Sequence, residues 1–184
     1  LERAVSDFNE TRASDIFVVN FGAHYHDTAE ADESFKTDMA PILDDMARLG
    51  EKATVIWREI APTHFPSTNA SYDSFQSLPN SEKAGACCTG TPPLVLDRNV
   101  WVETYLREHG LADRVKLLKI YRMSYFRGSA HRTCHEAPPT TPNEGSPRDT
   151  PCPETREPTD CRHFSETGVI EAWNGLMLNH LCPA

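Results

Sequence analysis

The sequence predicts an α/β protein built on a parallel sheet, and two observations carry that expectation. Three short runs, Ile16–Val19, Ala53–Trp57 and Val115–Ile120, read as strands, and the first, β-branched and aromatic, lacks the apolar/polar alternation of a half-exposed strand. Such a run suits a strand buried on both faces, as in parallel sheets. Stretches with helical spacing separate and follow them, and strands alternating with helices imply parallel pairing.

The elements follow in order. Leu1–Thr11 carries apolar residues at 1, 4, 5 and 8, a helical spacing. Asp15 introduces the first strand. Ser34–Leu49 reads as an amphipathic helix with Phe35, Met39, Ile42, Leu43, Met46 and Leu49 on one side, and Gly50 as its C-cap. Ala53–Trp57 is the second strand. Arg98–His109 is a helix with Val102, Tyr105 and Leu106 on one face, ended by Gly110. Val115–Ile120 is the third strand, and Gly168–Leu181 closes the chain as a helix. The three tryptophans, Trp57, Trp101 and Trp173, read as core packing. Ala137–Pro158 differs from all of these: it holds seven of the 14 prolines and almost no apolar bulk, the composition of an extended insertion.

Composition narrows the function classes. With 27 acidic against 18 basic residues the formal net charge is −9, which disfavours nucleic acid and anionic lipid as partners. Every apolar run is shorter than the roughly 20 residues a membrane span needs, so membrane attachment is expected only through a segment outside this chain. The chain opens on Leu1, and its true beginning is expected upstream. The six cysteines include no C-x-x-C pair, so a zinc ribbon or thioredoxin motif is not indicated. Their even number is compatible with disulfides, and two N-x-S/T sequons, at Asn9 and Asn69, point the same way. Together they favour the secretory pathway, either the Golgi lumen or the extracellular space.

In parallel sheets the chemistry lies beyond the carboxyl ends of the strands, so Asn20–His26, Arg58–Phe65 and Tyr121–Phe126 are the segments to search. Asn20 can aim its amide at a developing oxyanion, and Gly22 lets a backbone N–H come close. His24 and His26 could instead share a face and bind a metal, but no third ligand stands at a recognisable spacing. Arg58 and His64 could face the same cleft as Asn20, or Arg58 and Glu59 could form a solvated surface pair. Asp160-Cys161-Arg162-His163 is the most informative tetrapeptide. A carboxylate three residues before an imidazole can fix its tautomer and leave the other nitrogen as a general base. On spacing alone the same tetrapeptide also fits an exposed cap region before the last helix. No G-D-S or G-x-S-x-G nucleophile motif is present.

Read in order, four segments resemble the PC-esterase family, whose best-known members are the trichome-birefringence-like polysaccharide O-acetyltransferases of SGNH/GDSL-hydrolase architecture. Asp15–His26 (DIFVVNFGAHYH) resembles the family's D-V-L-V-x-N-x-G strand and turn. Trp57–Phe65 (WREIAPTHF) resembles F-R-T-x-S-P-x-H-F. Leu117–His131 (LLKIYRMSYFRGSAH) resembles L-L-x-I-T-x-M-S-x-x-R-x-D-A-H. Asp160–Asn174 (DCRHFSETGVIEAWN) resembles D-C-x-H-W-C-L-P-G-V-P-D-x-W-N.

The resemblance implies a three-layer SGNH-like fold lacking its N-terminal strands, with residues 1–184 forming the C-terminal part of one domain and 137–158 inserted in it. It implies acyl-ester chemistry on a glycan or polysaccharide, by transfer of an acetyl group or by hydrolysis, without a cofactor beyond an acetyl donor as co-substrate. Asp160 and His163 match the catalytic Asp and His. Asn20, with Gly22, matches the oxyanion-hole block, and Arg58, His64 and Tyr121 fall in matching segments near the cleft.

The departures are specific. The family's G-D-S serine lies upstream of the Asn block and is expected outside this chain. Without the strand that carries it, Ile16–Val19 would form an apolar, aggregation-prone edge. Ser165 stands where the family motif has a second Cys, and Phe21-Gly22-Ala23-His24 stands in place of Thr-Gly-His-Trp. The alternative function is a non-catalytic carbohydrate- or protein-binding glycoprotein that kept the fold without the nucleophile.

Overall fold

The computed structural model describes residues 11–83, 88–131, 160–164 and 168–182. In chain order its elements are β1 (Ile16–Val19), α1 (Ala29–Leu49), β2 (Thr54–Arg58), α2 (Tyr72–Gln76), α3 (Asn80–Lys83), α4 (Asp97–Glu108), β3 (Val115–Leu118), α5 (Tyr121–Ser124) and α6 (Val169–Leu181), with short 3₁₀ turns at Thr68–Ala70 and Gly128–Ala130. The chain divides into two compact units. One comprises Leu1–Ile60, Val95–Tyr121 and Met177–Ala184, the other Ala61–Leu94 and Arg122–Leu176.

The first unit holds the sheet, in the order β1-β2-β3 with both pairings parallel. Val18 lies opposite Ile56 and Ile56 opposite Lys116, while Val19 lies opposite Trp57 and Trp57 opposite Leu117. β2 is central, and its Val55, Ile56 and Trp57 are all buried, as an unalternating run should be. β1 departs from that expectation. Phe17 and Val19 pack against the core, but Ile16 and Val18 remain 49% and 46% exposed. Among the described residues β1 is an edge strand, and only its Phe17/Val19 face is covered.

Helix α1 covers the core with Phe35, Met39, Leu43, Met46 and Ala47. Against them pack Val55 and Trp57 of β2, Val102 and Leu106 of α4 and Val115 of β3. Burying each large apolar side chain fully contributes about 1.5–3 kcal/mol. α1 begins five residues before Ser34, where the apolar stripe first shows, because Thr28 caps it by accepting from the N–H of Ala31. The helix also runs through Pro41, which lacks the N–H for one intrahelical bond. β3 ends at Leu118, two residues short of the apolar run, and the segment after it opens as the single turn α5. The helical spacing at Leu1–Glu10 and the insertion Ala137–Pro158 lie outside the described residues.

The second unit is built on two aromatic groupings. Phe65 and Phe75 stack beside the Cys88–Cys161 disulfide. Phe164 stacks on His131 and meets Trp173 edge-on, and the Trp173 indole N–H donates to the buried Ser124 hydroxyl at 2.8 Å. Trp57 and Trp173 are thus core residues, and Trp101 is partly buried against the first core. Among the described residues no helix is long and apolar enough to cross a membrane.

Candidate active site

In the second unit, Asp160 and His163 form one hydrogen-bonded turn. Asp160 Oδ1 accepts from the backbone N–H groups of Arg162 and His163 at 3.1 and 3.0 Å, an Asx turn closed by the carboxylate. Its other oxygen, Oδ2, lies 2.7 Å from His163 Nδ1. The three-residue spacing makes this arrangement local: the turn that satisfies Oδ1 also brings the imidazole back over Oδ2. Desolvation pushes the Asp160 carboxyl upward, but the bonds from His163 and Arg162 outweigh it and hold the group below its ordinary value. The Asp160 side chain is 34% exposed and that of His163 64%, so the ring is open to an incoming molecule while its Nδ1 is fixed.

Several contacts hold this turn from behind. The disulfide joins Cys161 to Cys88, with 5.2 Å between the Cα atoms. The backbone N–H of His64 donates to the Cys161 carbonyl at 2.9 Å. His131 Nδ1 lies 3.0 Å from the His163 carbonyl, and residues 131 and 164 form an antiparallel bridge. The sequence expected His64 beside a substrate cleft. Instead it is 3% exposed, with Nδ1 2.8 Å from His131 Nε2 and Nε2 2.7 Å from the Tyr125 carbonyl. Its role here is in the scaffold. Burial drives the proton affinity of both rings down, that of His131 to about 4. His131 was missed as a site residue because its partners are distant in sequence.

The first unit carries the strand-end residues. Asn20 Nδ2 donates to the carbonyls of Arg58 and Glu59 at 2.8 and 3.1 Å, and its Oδ1 accepts from Arg58 Nη2 at 3.1 Å. Asn20 thereby ties the end of β1 to the end of β2. Gly22 has φ of +107°, and a Cβ there would lie 2.6 Å from Ile60 Cδ1 and 2.7 Å from Phe35 Cε2, so only glycine fits. Arg98, a residue the sequence reading did not single out, pins this turn. It pairs with Asp32 at 2.7 Å and donates to the Gly22 and Tyr25 carbonyls at 3.3 and 3.2 Å.

Desolvation lowers the Arg58 value, and Arg58 is directed to Asn20 rather than to Glu59. Glu59 accepts from the backbone N–H of Tyr121 at 2.8 Å, and desolvation, the largest influence, raises its carboxyl. Tyr121 itself is buried, so it offers no surface to a substrate in this conformation. Among the described residues no group of three His, Cys, Asp or Glu side chains is placed to hold a metal ion.

These features can be set against known proteins. Residues 5–180 match a sequence family described as PC-Esterase, the GDSL/SGNH-like acyl-esterase family found in Pmr5 and Cas1p. No curated protein and no solved structure matches the chain at a significant level. The small parallel sheet flanked by helices is a reduced SGNH-hydrolase-like α/β fold. Among the described residues no catalytic serine or complete triad is identifiable. The disulfide is consistent with a secretory or extracellular setting. The matched span takes in the strand-end turns of the first unit and the Asp160–His163 turn of the second, and the chain belongs to this acyl-esterase family.

Proposed function

We propose that the chain supplies the acid–base half of a serine acyl-ester enzyme, an O-acetyltransferase or acetylesterase acting on glycan hydroxyls in the Golgi lumen or outside the cell. The observation that supports this is the Asp160–His163 pair, with Nδ1 fixed at 2.7 Å from a carboxylate on an accessible ring. In this reading Asp160 holds Nδ1–H, and His163 Nε2 takes the proton of a serine Oγ as that oxygen attacks the acyl carbon. The serine belongs to an upstream G-D-S segment of the same domain, of which residues 1–184 are the C-terminal part. The leaving oxygen takes the proton from His163, and the acyl group stays on the serine. A sugar hydroxyl or water, deprotonated in turn by His163, then receives it, and His163 returns that proton to the departing serine Oγ.

Asn20 serves the oxyanion by exchanging its longer carbonyl bond, the one to Glu59, for the substrate, and Gly22 keeps the turn close. Arg58 is the residue left to meet the glycan. Asn69 is exposed, as a glycan acceptor must be, and Asn9 lies outside the described residues.

The test is acetyl-ester turnover by the full-length protein carrying His163→Ala or Asp160→Asn. Each should lower kcat by roughly 10²- to 10⁴-fold. Unchanged turnover in both would overturn the reading. Glycan binding with no turnover in the unmutated protein would establish the non-catalytic alternative instead.

A further inference from the structure

The four ring nitrogens of His64 and His131 form an unbroken chain. It runs from the Tyr125 carbonyl to His64 Nε2 (2.7 Å), from His64 Nδ1 to His131 Nε2 (2.8 Å), and from His131 Nδ1 to the His163 carbonyl (3.0 Å). A carbonyl oxygen only accepts. His64 Nε2 and His131 Nδ1 must therefore both carry hydrogen. If each ring is neutral, the two inner nitrogens are then bare and face each other lone pair to lone pair at 2.8 Å. Three hydrogen bonds in this chain require three protons on four nitrogens. With all three bonds made at once, the pair would be one imidazole and one imidazolium sharing a proton.

We propose that the buried His64–His131 pair takes up one shared proton, and that this proton makes His131 a positioning residue for the turn carrying His163. When the proton departs to solvent, one of the three bonds must open. The bond to the Tyr125 carbonyl is the shorter of the two carbonyl bonds, so the one released is His131 Nδ1 to the His163 carbonyl. His131 then carries its single proton on Nε2 and gives it to His64 Nδ1. The His163 backbone keeps its contacts through Asp160 and the disulfide but loses its tie to His131.

The surroundings place this exchange in the acid range. His64 is 3% and His131 1% exposed, so burial opposes the added charge. The Asp160 carboxylate favours a proton on His131, while the charges of His163 and of the neighbouring His64 oppose one. Among the described residues the other groups packed on the rings are uncharged: Phe164 lies against both, and the backbone of Gly128 backs His64. The two rings titrate as a unit. The consequence for catalysis rests on reading His163 as the general base, whereas the proton count does not.

The experiment is long-range ¹H–¹⁵N spectroscopy of the protein labelled at histidine, followed from neutral pH into the acid range. Two protons on the four nitrogens are expected at neutral pH. A third should appear in one step below the ordinary histidine midpoint, and the His163 signals should shift at that same midpoint. His131→Asn places an amide N–H where Nδ1–H stood and cannot ionise, so the His163 shift at that midpoint should vanish. A pair that holds only two protons at every pH where the protein is folded overturns the proposal. So does a His163 response that persists in His131→Asn. If that variant fails to fold, the proton count in the unmutated protein decides alone. Full turnover by His163→Ala would remove the catalytic reading and leave the proton count standing.

Discussion

Asp160 and His131 act on the same turn, and both make the fold sensitive to acid in the same direction. The Asp160 carboxyl sits below its ordinary value in the fold, so its contribution is present above the unfolded value and lost as pH falls through the folded one. His131 is a base whose folded value is lowered, from 6.5 to about 4. Between those values the unfolded chain binds the proton that the folded chain refuses, so stability falls as pH drops across that window. The urea midpoint is therefore expected to fall on moving from neutral to mildly acidic buffer, and His131→Asn should flatten that decline. A midpoint insensitive to pH would show that His131 is not held neutral. The Asp160–His163 pair was legible in the sequence because three residues suffice to close it. The His64–His131 pair was not, since 67 residues separate its members and no local spacing encodes them.

At the scale of elements, the sequence is read well where burial repeats and poorly where tertiary contact decides. The stripe from Phe35 to Leu49 shows its helical period and the run Ala53–Trp57 its unbroken apolar character, and both elements form. The place of β1 at the sheet edge was expected, but its exposed face was not legible, because a run without alternation does not say which face stays open. Nor was the first turn of α1, where Ala29–Glu33 has no apolar stripe and a threonine cap sets the start. Gly128 is a case the sequence could not mark at all. A Cβ there would lie 2.4 Å from the Cys88 carbonyl oxygen and 3.3 Å from His64 Cδ2. Both neighbours are fixed, one next to a disulfide and the other by two ring hydrogen bonds. Gly128→Ala is therefore expected to destabilise by about 1–3 kcal/mol, the usual range for overpacking. It should also disturb the His64 ring signals, and a variant with unchanged denaturation midpoint and spectra would show that the backbone yields freely.

For the whole molecule, alternating strands and helices announced the parallel sheet, and four ordered motifs announced the family. The pairing of cysteines was not announced, because spacing leaves many connectivities open. The Cys88–Cys161 bridge spans a sequence separation of 73 residues. In the chain-entropy account a loop of that length stabilises the fold by about 4 kcal/mol. The bridge also does something local, because Cys161 stands between Asp160 and Arg162, whose N–H closes the turn on the carboxylate. Its carbonyl takes the backbone bond from His64, so the disulfide and that bond together anchor the turn that carries the exposed imidazole. Replacing both cysteines with alanine should therefore lower stability by a few kcal/mol. If the bridge also positions the turn, acyl-ester turnover should fall even under conditions where the variant is fully folded. Calorimetry and turnover measured on the same sample separate the two effects. Lost stability with full turnover would assign the bridge to the fold alone, and lost turnover in a folded variant would assign it to the orientation of His163 as well.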